Sequence, residues 1–407
     1  MLQSGKQMLN KFLNLKAYHQ SDLFDPSTEK ELNVDDLSQV LPRSLAELEL
    51  SKKKYIDIPR EISRIYSTYR PTPLFRASEF EKAINTNCEI YIKNEGVAPT
   101  GNHKANSAYL IAYLCKKDGV KVIATETTGN WGLALAMAGR QFGVKVICFL
   151  DYESHIERPN RKSLMEKLEA QVIVVKPQDN QKVKDLLTLS ANAAIKFTKR
   201  SPGVYYIFGS VYGYFIIPQS IIGLEIKHQL GRLNKYPDIV IGACGGGANL
   251  LGTAAPFLAD VIDEKRNTRI ISAEAESCPI LSEGKIGLYS IDTLKYYPLL
   301  ETYGIDELKS DGYVGGLGAT VVASSVAFFH SKGMIQANRF SPNEAQSAAE
   351  VFYKTEGLLV ALETGYTMAA IIKQARENDK KIIVANISSG DTDKQFYTSI
   401  QEMSHRH

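Results

Sequence analysis

Seven short apolar runs, separated by stretches of helix length, constrain this chain more than any other feature. They are EIYIK (89–93), KVIAT (121–125), VKVICFL (144–150), QVIVV (171–175), DIVIGA (238–243), TRIISAE (268–274) and KIIVAN (381–386). Each is rich in β-branched residues and nearly continuously apolar, as strands buried on both faces are. The segments 104–118, 131–142, 158–169, 182–199 and 215–231 between them read as helices. Strands alternating with helices predict parallel βαβ units, hence an α/β fold. In such sheets ligands bind at the carboxyl ends of the strands, in the loops that follow.

A chain of 407 residues is long enough for two or three domains. Lys and Arg total 48 against 45 Asp and Glu, a net charge of +3, which gives no support to a nucleic-acid or membrane-surface partner. No run approaches the ~20 apolar residues of a membrane span, and the first twenty residues lack the apolar core of a secretory signal. They read instead as a weak basic amphipathic helix. The first 65 or so residues show no strand runs and are read as an arm with short helices. Within it, Asp25-Pro26-Ser27-Thr28 is turn chemistry, and Asp35 and Asp36 mark the first turn of a helix. The five cysteines (Cys88, Cys115, Cys148, Cys244, Cys278) are odd in number and form no C-x-x-C, so reduced thiols in a cytoplasmic protein are expected. The seven histidines show no metal-ligand spacing, and there is no H-E-x-x-H or G-x-S-x-G, so no metal site and no serine-nucleophile elbow are predicted.

Four loops after strands could carry chemistry. In PTGNHKAN (99–106), Lys104 stands at a helix start, where the positive end of the dipole disfavours an ammonium. Alone it reads as a solvated lysine. A lysine that forms a Schiff base, however, wants such a place, because a depressed pKa supplies the neutral amine. In TETTGNWG (125–132), small residues let backbone N–H groups point at an anion. There Glu126 is either a helix-start carboxylate or a proton-transfer group. In CGGGAN (244–249), three adjacent glycines cost backbone entropy, which favours a phosphate cup over a simple tight turn. It matches neither the dinucleotide nor the Walker pattern. In NISSGD (386–391), a hydroxyl could meet a heterocycle nitrogen, although spacing alone favours a β-turn closed by Asp391.

Taken together these loops resemble a fold-type II pyridoxal-phosphate enzyme, and more narrowly the tryptophan synthase β-chain in its stand-alone β-like subfamily. The resemblance runs from about 22 to 400. It includes Arg70-Pro71-Thr72-Pro73-Leu74, YIKNEGVAPTGNHKANSA, ETTGNWGLALAMAG, IERPNRKSLMEKLEAQVIVV, FGSVYGYFIIPQSIIGLEIKHQL, CGGGANLLG, AEAESCP, TEGLLVALETGY and NISSGD. The order and spacing of these motifs are specific, although none decides alone. The resemblance implies a two-domain fold of parallel-sheet, three-layer domains. The arm would span 1–66, a large cofactor domain 67–102 plus 204–407, and a smaller α/β domain 103–203.

Carried across residue by residue, the resemblance gives Lys104 the cofactor, pyridoxal 5′-phosphate, with His103 beside it. Gly245, Gly246, Gly247, Ala248 and Asn249 would bind the phosphate. Ser388 would face the pyridine nitrogen, and Glu363 would lie near the cofactor. Glu126 matches the acid/base carboxylate. Thr127, Thr128, Gly129, Asn130 and Trp131 match the loop that grips the substrate carboxylate. The implied reaction is β-replacement on L-serine or a similar amino acid through an aminoacrylate, with indole giving L-tryptophan as the leading case. The family also implies a homodimer and a monovalent cation near the cofactor; the stand-alone subfamily leaves an α-chain partner open.

This chain departs from the family pattern in three places. The loop T-T-G-N-W-G is one residue shorter than the usual T-G-A-G-Q-[HW]-G and closer to the loop of cysteine and threonine synthases. Gly318 and Ala319 stand where the family has a charged residue and usually an aromatic. Ala248 replaces a serine at the end of the cup. Two further readings therefore stand beside tryptophan synthesis: β-replacement or β-elimination with another donor or nucleophile, and a catalytically silent binding protein. Retention of both Lys104 and Glu126 argues against the last.

Overall fold

The apolar runs form strands because both faces of their sheet are covered. The computed structural model describes residues 9–20, 23–177, 186–309 and 315–397. A six-stranded sheet has the order Ile335–Phe340, Arg269–Ala275, Ile239–Ala243, Ile382–Ile387, Glu89–Asn94, Leu74–Arg76. All neighbours are parallel except the last pair. Ile239 and Ile241 pack into the apolar cluster on one face, with Ile90, Ile92, Ile271 and Ile383, while Val240, Ile270 and Val384 pack into the cluster on the other. Each buried Val or Ile contributes roughly 1.5–3 kcal/mol of burial, which explains why the sequence shows runs rather than alternation.

A second sheet is wholly parallel, in the order Gln171–Val175, Lys145–Asp151, Val122–Thr127, Val204–Tyr206. Its last strand pairs Val204 with Val122 and Tyr206 with Ala124. The expected limit of the smaller domain at 203 therefore falls short of the sheet it was meant to enclose. This three-residue strand is too brief to register as an apolar run.

Three other expectations need correction. The arm is not free of strands: Lys11–Leu13 pairs antiparallel with Tyr55–Asp57, and Leu23–Phe24 joins a small antiparallel sheet with Lys285–Tyr289 and Leu299–Gly304. Residues 11–18 are that strand followed by a 3-10 turn at Leu15–Tyr18, not an amphipathic helix, because Phe12, Leu13 and Leu15 all turn inward. Residues 1–8 of that reading lie outside the described residues, as do His405 and His407. The segment 215–231 is not one helix but three pieces, Gly213–Ile216, a 3-10 turn at Ile217–Ser220, and Ile221–Gly231. Pro218 lacks the N–H that a continuous helix would need.

The arm is fastened by polar contacts. Lys16 and Glu49 form a buried ion pair at 2.9 Å, and Glu49 Oε2 accepts the Tyr214 N–H at 2.8 Å. Asn33 caps the helix Val34–Leu37 in a capping box with Asp36. Deeper inside, Arg70 donates to both Glu95 (3.0 Å) and Glu225 (2.8 Å) and to Asn106 Oδ1 (2.9 Å). Lys93 Nζ reaches Glu225 Oε2 at 2.7 Å. Burial alone would raise the Glu95 carboxyl, but Arg70 outweighs it and holds the group at about 2.

Candidate active site

Strands Ile239–Ala243 and Ile382–Ile387 are neighbours in the large sheet although some 140 residues separate them. Their adjacency brings the loops 244–249 and 388–391 side by side at the carboxyl end of the sheet. There the chain leaves Ile239–Ala243 outward to Arg269–Ala275 on one side, with Ile382–Ile387 on the other, a topological switch point.

A cleft of about 610 Å³ opens at this point. It is lined by His103, Lys104, Gly245, Gly246, Gly247, Ala248, Asn249, Glu363 and Ser388, which are all the residues expected to hold the cofactor. The cup can exist only with glycine. A Cβ on Gly245 would lie within 2.7–3.0 Å of the Leu317 backbone, and Gly247 has φ +96°, in the left-handed region. Gly247 caps the helix Ala248–Asp263, whose N-terminus faces the cleft. Asn249 is fixed by donating Nδ2 to Asn386 Oδ1 at 2.8 Å.

The cleft is built for a polar occupant. Asn249 Oδ1, Glu363 Oε2 and Thr367 Oγ1 are buried without a hydrogen-bond partner among the described residues, and all three residues line it. Leaving such atoms unpaired is costly; two are acceptors and one is a hydroxyl, so they fit the donor groups of a polar ligand, while the N–H groups at the start of the helix Ala248–Asp263 supply the donors that a phosphate needs. Lys104 begins the helix Lys104–Lys117. Burial holds its amine below the usual range, against the pull of Glu363 and with the help of the Arg161 cation. Glu363 is itself opposed by burial, yet Arg161, Arg158 and the Gly316 N–H (2.8 Å to Oε1) keep it ionised below the usual carboxylate range. His103 is neutral, pushed down to about 3 by burial and by Lys104. Its tautomer follows from the neighbours. Ser107 gives its proton to the Phe215 carbonyl and accepts from Gln219 Nε2, so Gln219 Oε1 faces His103 Nδ1 at 3.0 Å and accepts its proton.

Lys104 also lines a second cavity of about 740 Å³. Its other walls include Glu126, Thr127, Thr128, Trp131, Phe208, Gly318 and Ala319. The expectation placed Glu126 in a loop. The strand in fact runs to Thr127, paired with Leu150, so Glu126 is a buried strand residue opposite Phe149. Burial lifts its carboxyl to about 8, although the Tyr206 hydroxyl (2.5 Å to Oε2) and the Gly209 N–H pull the other way.

The five residues expected to grip a carboxylate separate in the structure. Thr128 and Trp131 line the second cavity. Thr127 does too, but its hydroxyl is turned inward and accepts the Gly129 and Gly132 N–H groups, both at 2.8 Å. Asn130 lines the first cleft instead. Gly129 lines neither cavity, because its backbone lies against the Arg161 stem. Trp131 is pinned by donating Nε1 to Thr125 Oγ1 at 2.7 Å.

Sequence reasoning missed the groups that hold this loop. Arg161, buried on the helix Asn160–Lys167, donates to the Thr128 carbonyl at 3.1 Å and to Thr392 Oγ1 at 3.2 Å. Arg158 Nε pairs with Asp393 at 2.6 Å, and Asp393 Oδ2 also accepts the Leu362 N–H. Two arginines in an otherwise polar stretch read as solvated charges, and only their burial gives them away. In NISSGD, Ser389 and Asp391 do close a turn by a 2.8 Å hydrogen bond, while Ser388 faces the cleft.

A family model described as pyridoxal-phosphate dependent enzyme matches residues 65–389. The tryptophan synthase beta chain of Thermosipho africanus is 38% identical over 382 residues, covering 89% of this chain and 90% of that protein. The tryptophan synthase beta chain 2 of Thermotoga maritima is 35% identical over 381 residues, with the same coverage. Among solved structures, the processed form of threonine deaminase isoform 2 from Solanum lycopersicum superposes with a TM-score of 0.64 at 18% identity, covering 82% of this chain and 88% of that one. Serine racemase from Dictyostelium discoideum gives 0.61 at 20%, covering 82% and 96%. At such identities the solved structures speak for the fold, and they are fold-type II enzymes as the sequence led us to expect.

Proposed function

The chain belongs to the pyridoxal-phosphate-dependent enzyme family as a tryptophan synthase β-like lyase, and on that premise we propose that it catalyses β-replacement on L-serine or a similar amino acid, with indole as the leading nucleophile. One observation carries the reading: Lys104 and Glu126 line the same cavity, and burial biases both toward their uncharged forms.

The cofactor, when bound, supplies an electrophilic aldehyde and a conjugated ring that draws electron density from the amino acid's α-carbon. The chain's residues do the rest. Gly245, Gly246, Gly247, Ala248 and Asn249 bind the phosphate through backbone N–H groups and the helix N-terminus. Ser388, which lines the cleft, would offer the ring nitrogen a neutral hydroxyl rather than a carboxylate, which would favour the unprotonated nitrogen. The neutral Lys104 Nζ takes the α-proton. Thr128 and Asn130, with the start of the helix Asn130–Phe142, orient the substrate carboxylate. Glu126, uncharged at neutral pH, gives its proton to the departing β-oxygen and then takes the proton that the nucleophile releases. Trp131 and Phe208 exclude water from the cavity.

A second reading rests on Gly318 and Ala319. They present a hydrogen and a methyl group to the cavity where a polar group would recognise a serine hydroxyl, which favours a different donor or nucleophile. One assay separates the two. The enzyme loaded with cofactor is given L-serine and then indole, and the products are read by mass spectrometry. Tryptophan supports the first reading. Pyruvate without an indole product overturns it and leaves elimination.

A further inference from the structure

Tyr206 meets Glu126 from behind the cavity. It ends the strand Val204–Tyr206, pairs in register with Ala124, and is buried. Its hydroxyl donates to Glu126 Oε2 at 2.5 Å, yet Tyr206 does not line the cavity that Glu126 lines. The ring cannot easily swing away. Tyr297 packs edge-on against it with centroids 5.2 Å apart, and the Tyr297 hydroxyl donates to the Tyr206 carbonyl at 3.2 Å.

We infer that Tyr206 is a positioning residue for proton transfer by Glu126, one that fixes Oε2 and so assigns the exchangeable proton to Oε1. The reason is stoichiometric. A phenol can also accept, but among the described residues the Tyr206 hydroxyl has no acceptor other than Glu126, so its one proton goes to Oε2. When the carboxyl is protonated, its own hydrogen therefore belongs on the other oxygen. This rests on the proposed role of Glu126 and specifies how that role is executed. The titratable groups around Glu126 leave Tyr206 as the controlling neighbour. Cys148 on the adjacent strand is pushed up to about 12 by burial and by Glu126, so it stays neutral. Tyr212 and Tyr297 feel the Glu126 charge but are raised well above the usual phenol range, chiefly by burial. Lys104 faces Glu126 across the cavity.

The sign follows from the direction of the bond. A donor to the carboxylate favours the charged form, so removing it raises the Glu126 pKa above about 8. A reaction that needs the protonated carboxyl fails as pH rises through that pKa. In Y206F the alkaline limb of kcat should therefore move up by about one pH unit, the size of one charge-assisted hydrogen bond. kcat itself should fall roughly tenfold through loss of orientation, with KM for the amino acid unchanged. Infrared titration of the full chain without cofactor, using E126Q as the blank, should show the same upward shift in the carboxyl C=O band. Retention of the cofactor's yellow colour checks that the variant folds. In the E126Q background, Y206F should cost nothing further. If E126Q loses turnover but the limb and the infrared band stay put in Y206F, or if the two losses multiply, the inference is overturned and the Glu126 reading stands. Undiminished turnover in E126Q overturns that reading, and with it the inference.

Discussion

The two loops to which we assign anion binding are built on opposite plans. The cup at 244–249 has a wall of backbone: Gly245 lies on the main chain of Leu317, while Gly246 and Gly247 lie against the side chains of Ser210 and Val326, and the helix Ala248–Asp263 starts from it. The loop at 127–131 is held by side chains, the Thr127 hydroxyl from within and the Arg161 guanidinium from the neighbouring helix. A wall of backbone admits almost no change, whereas a clasp of side chains can be altered one atom at a time.

Lys104 faces both cavities, so it offers the severest test. Lys104→Ala should lower turnover roughly 10⁴-fold or more and abolish the bound cofactor's visible absorbance, while circular dichroism stays native. A variant that keeps its absorbance would show that the two cavities do not share this residue. The next test strikes the cup. Gly245→Ala forces a methyl group onto the Leu317 backbone, which cannot yield as a flexible side chain would. Overpacking of this kind costs about 1–3 kcal/mol, so equilibrium titration should find cofactor binding weaker by about 10–100-fold. An unchanged dissociation constant would break the contrast between the loops. The mildest effect belongs to the clasp. Arg161→Met keeps the stem but removes the hydrogen bond to Thr128, and KM for the amino acid should rise about three- to tenfold. It also removes a cation that depresses the Lys104 amine. The acid limb of the rate profile, set by loss of the neutral amine, should shift to higher pH.

The parts of the site that could be read in advance are those written in consecutive residues. Three glycines after an apolar run announce the cup. Lys104 at the head of a helix and the polar residues after KVIAT announce two more pieces. The end of the KVIAT strand reads too early because Glu126 and Thr127 are polar, and polarity at a strand end resembles a turn. Here pairing with Phe149 and Leu150 continues the strand, and hydrogen bonds compensate both side chains. Tyr206 and Arg158 were out of reach for a different reason. The groups they serve, Glu126 and Asp393, stand 80 and 235 residues away. A tyrosine in VYYIF reads as core until the fold reveals which of its neighbours is a carboxylate. The strands of the arm escaped notice because three-residue pairs carry no periodicity.

The buried cluster of Arg70, Lys93, Glu95 and Glu225 bears on how the chain reaches this structure at all. Lys93 and Glu95 come with the strand Glu89–Asn94 and the turn that follows it, Arg70 with the segment that leads out of the arm, and Glu225 with a helix 130 residues later. Two of the four charges are positive and two negative, so the complete set is neutral and any three of them are not. An assembly that lacks one member would bury an uncompensated charge, at a cost of about 3–5 kcal/mol. Arg70 also holds Asn106, two residues along the helix from Lys104. A form in which either Arg70 or Glu225 alone is undocked is thus penalised, and the helix that begins at Lys104 is locked by the same event that joins the arm to the sheet.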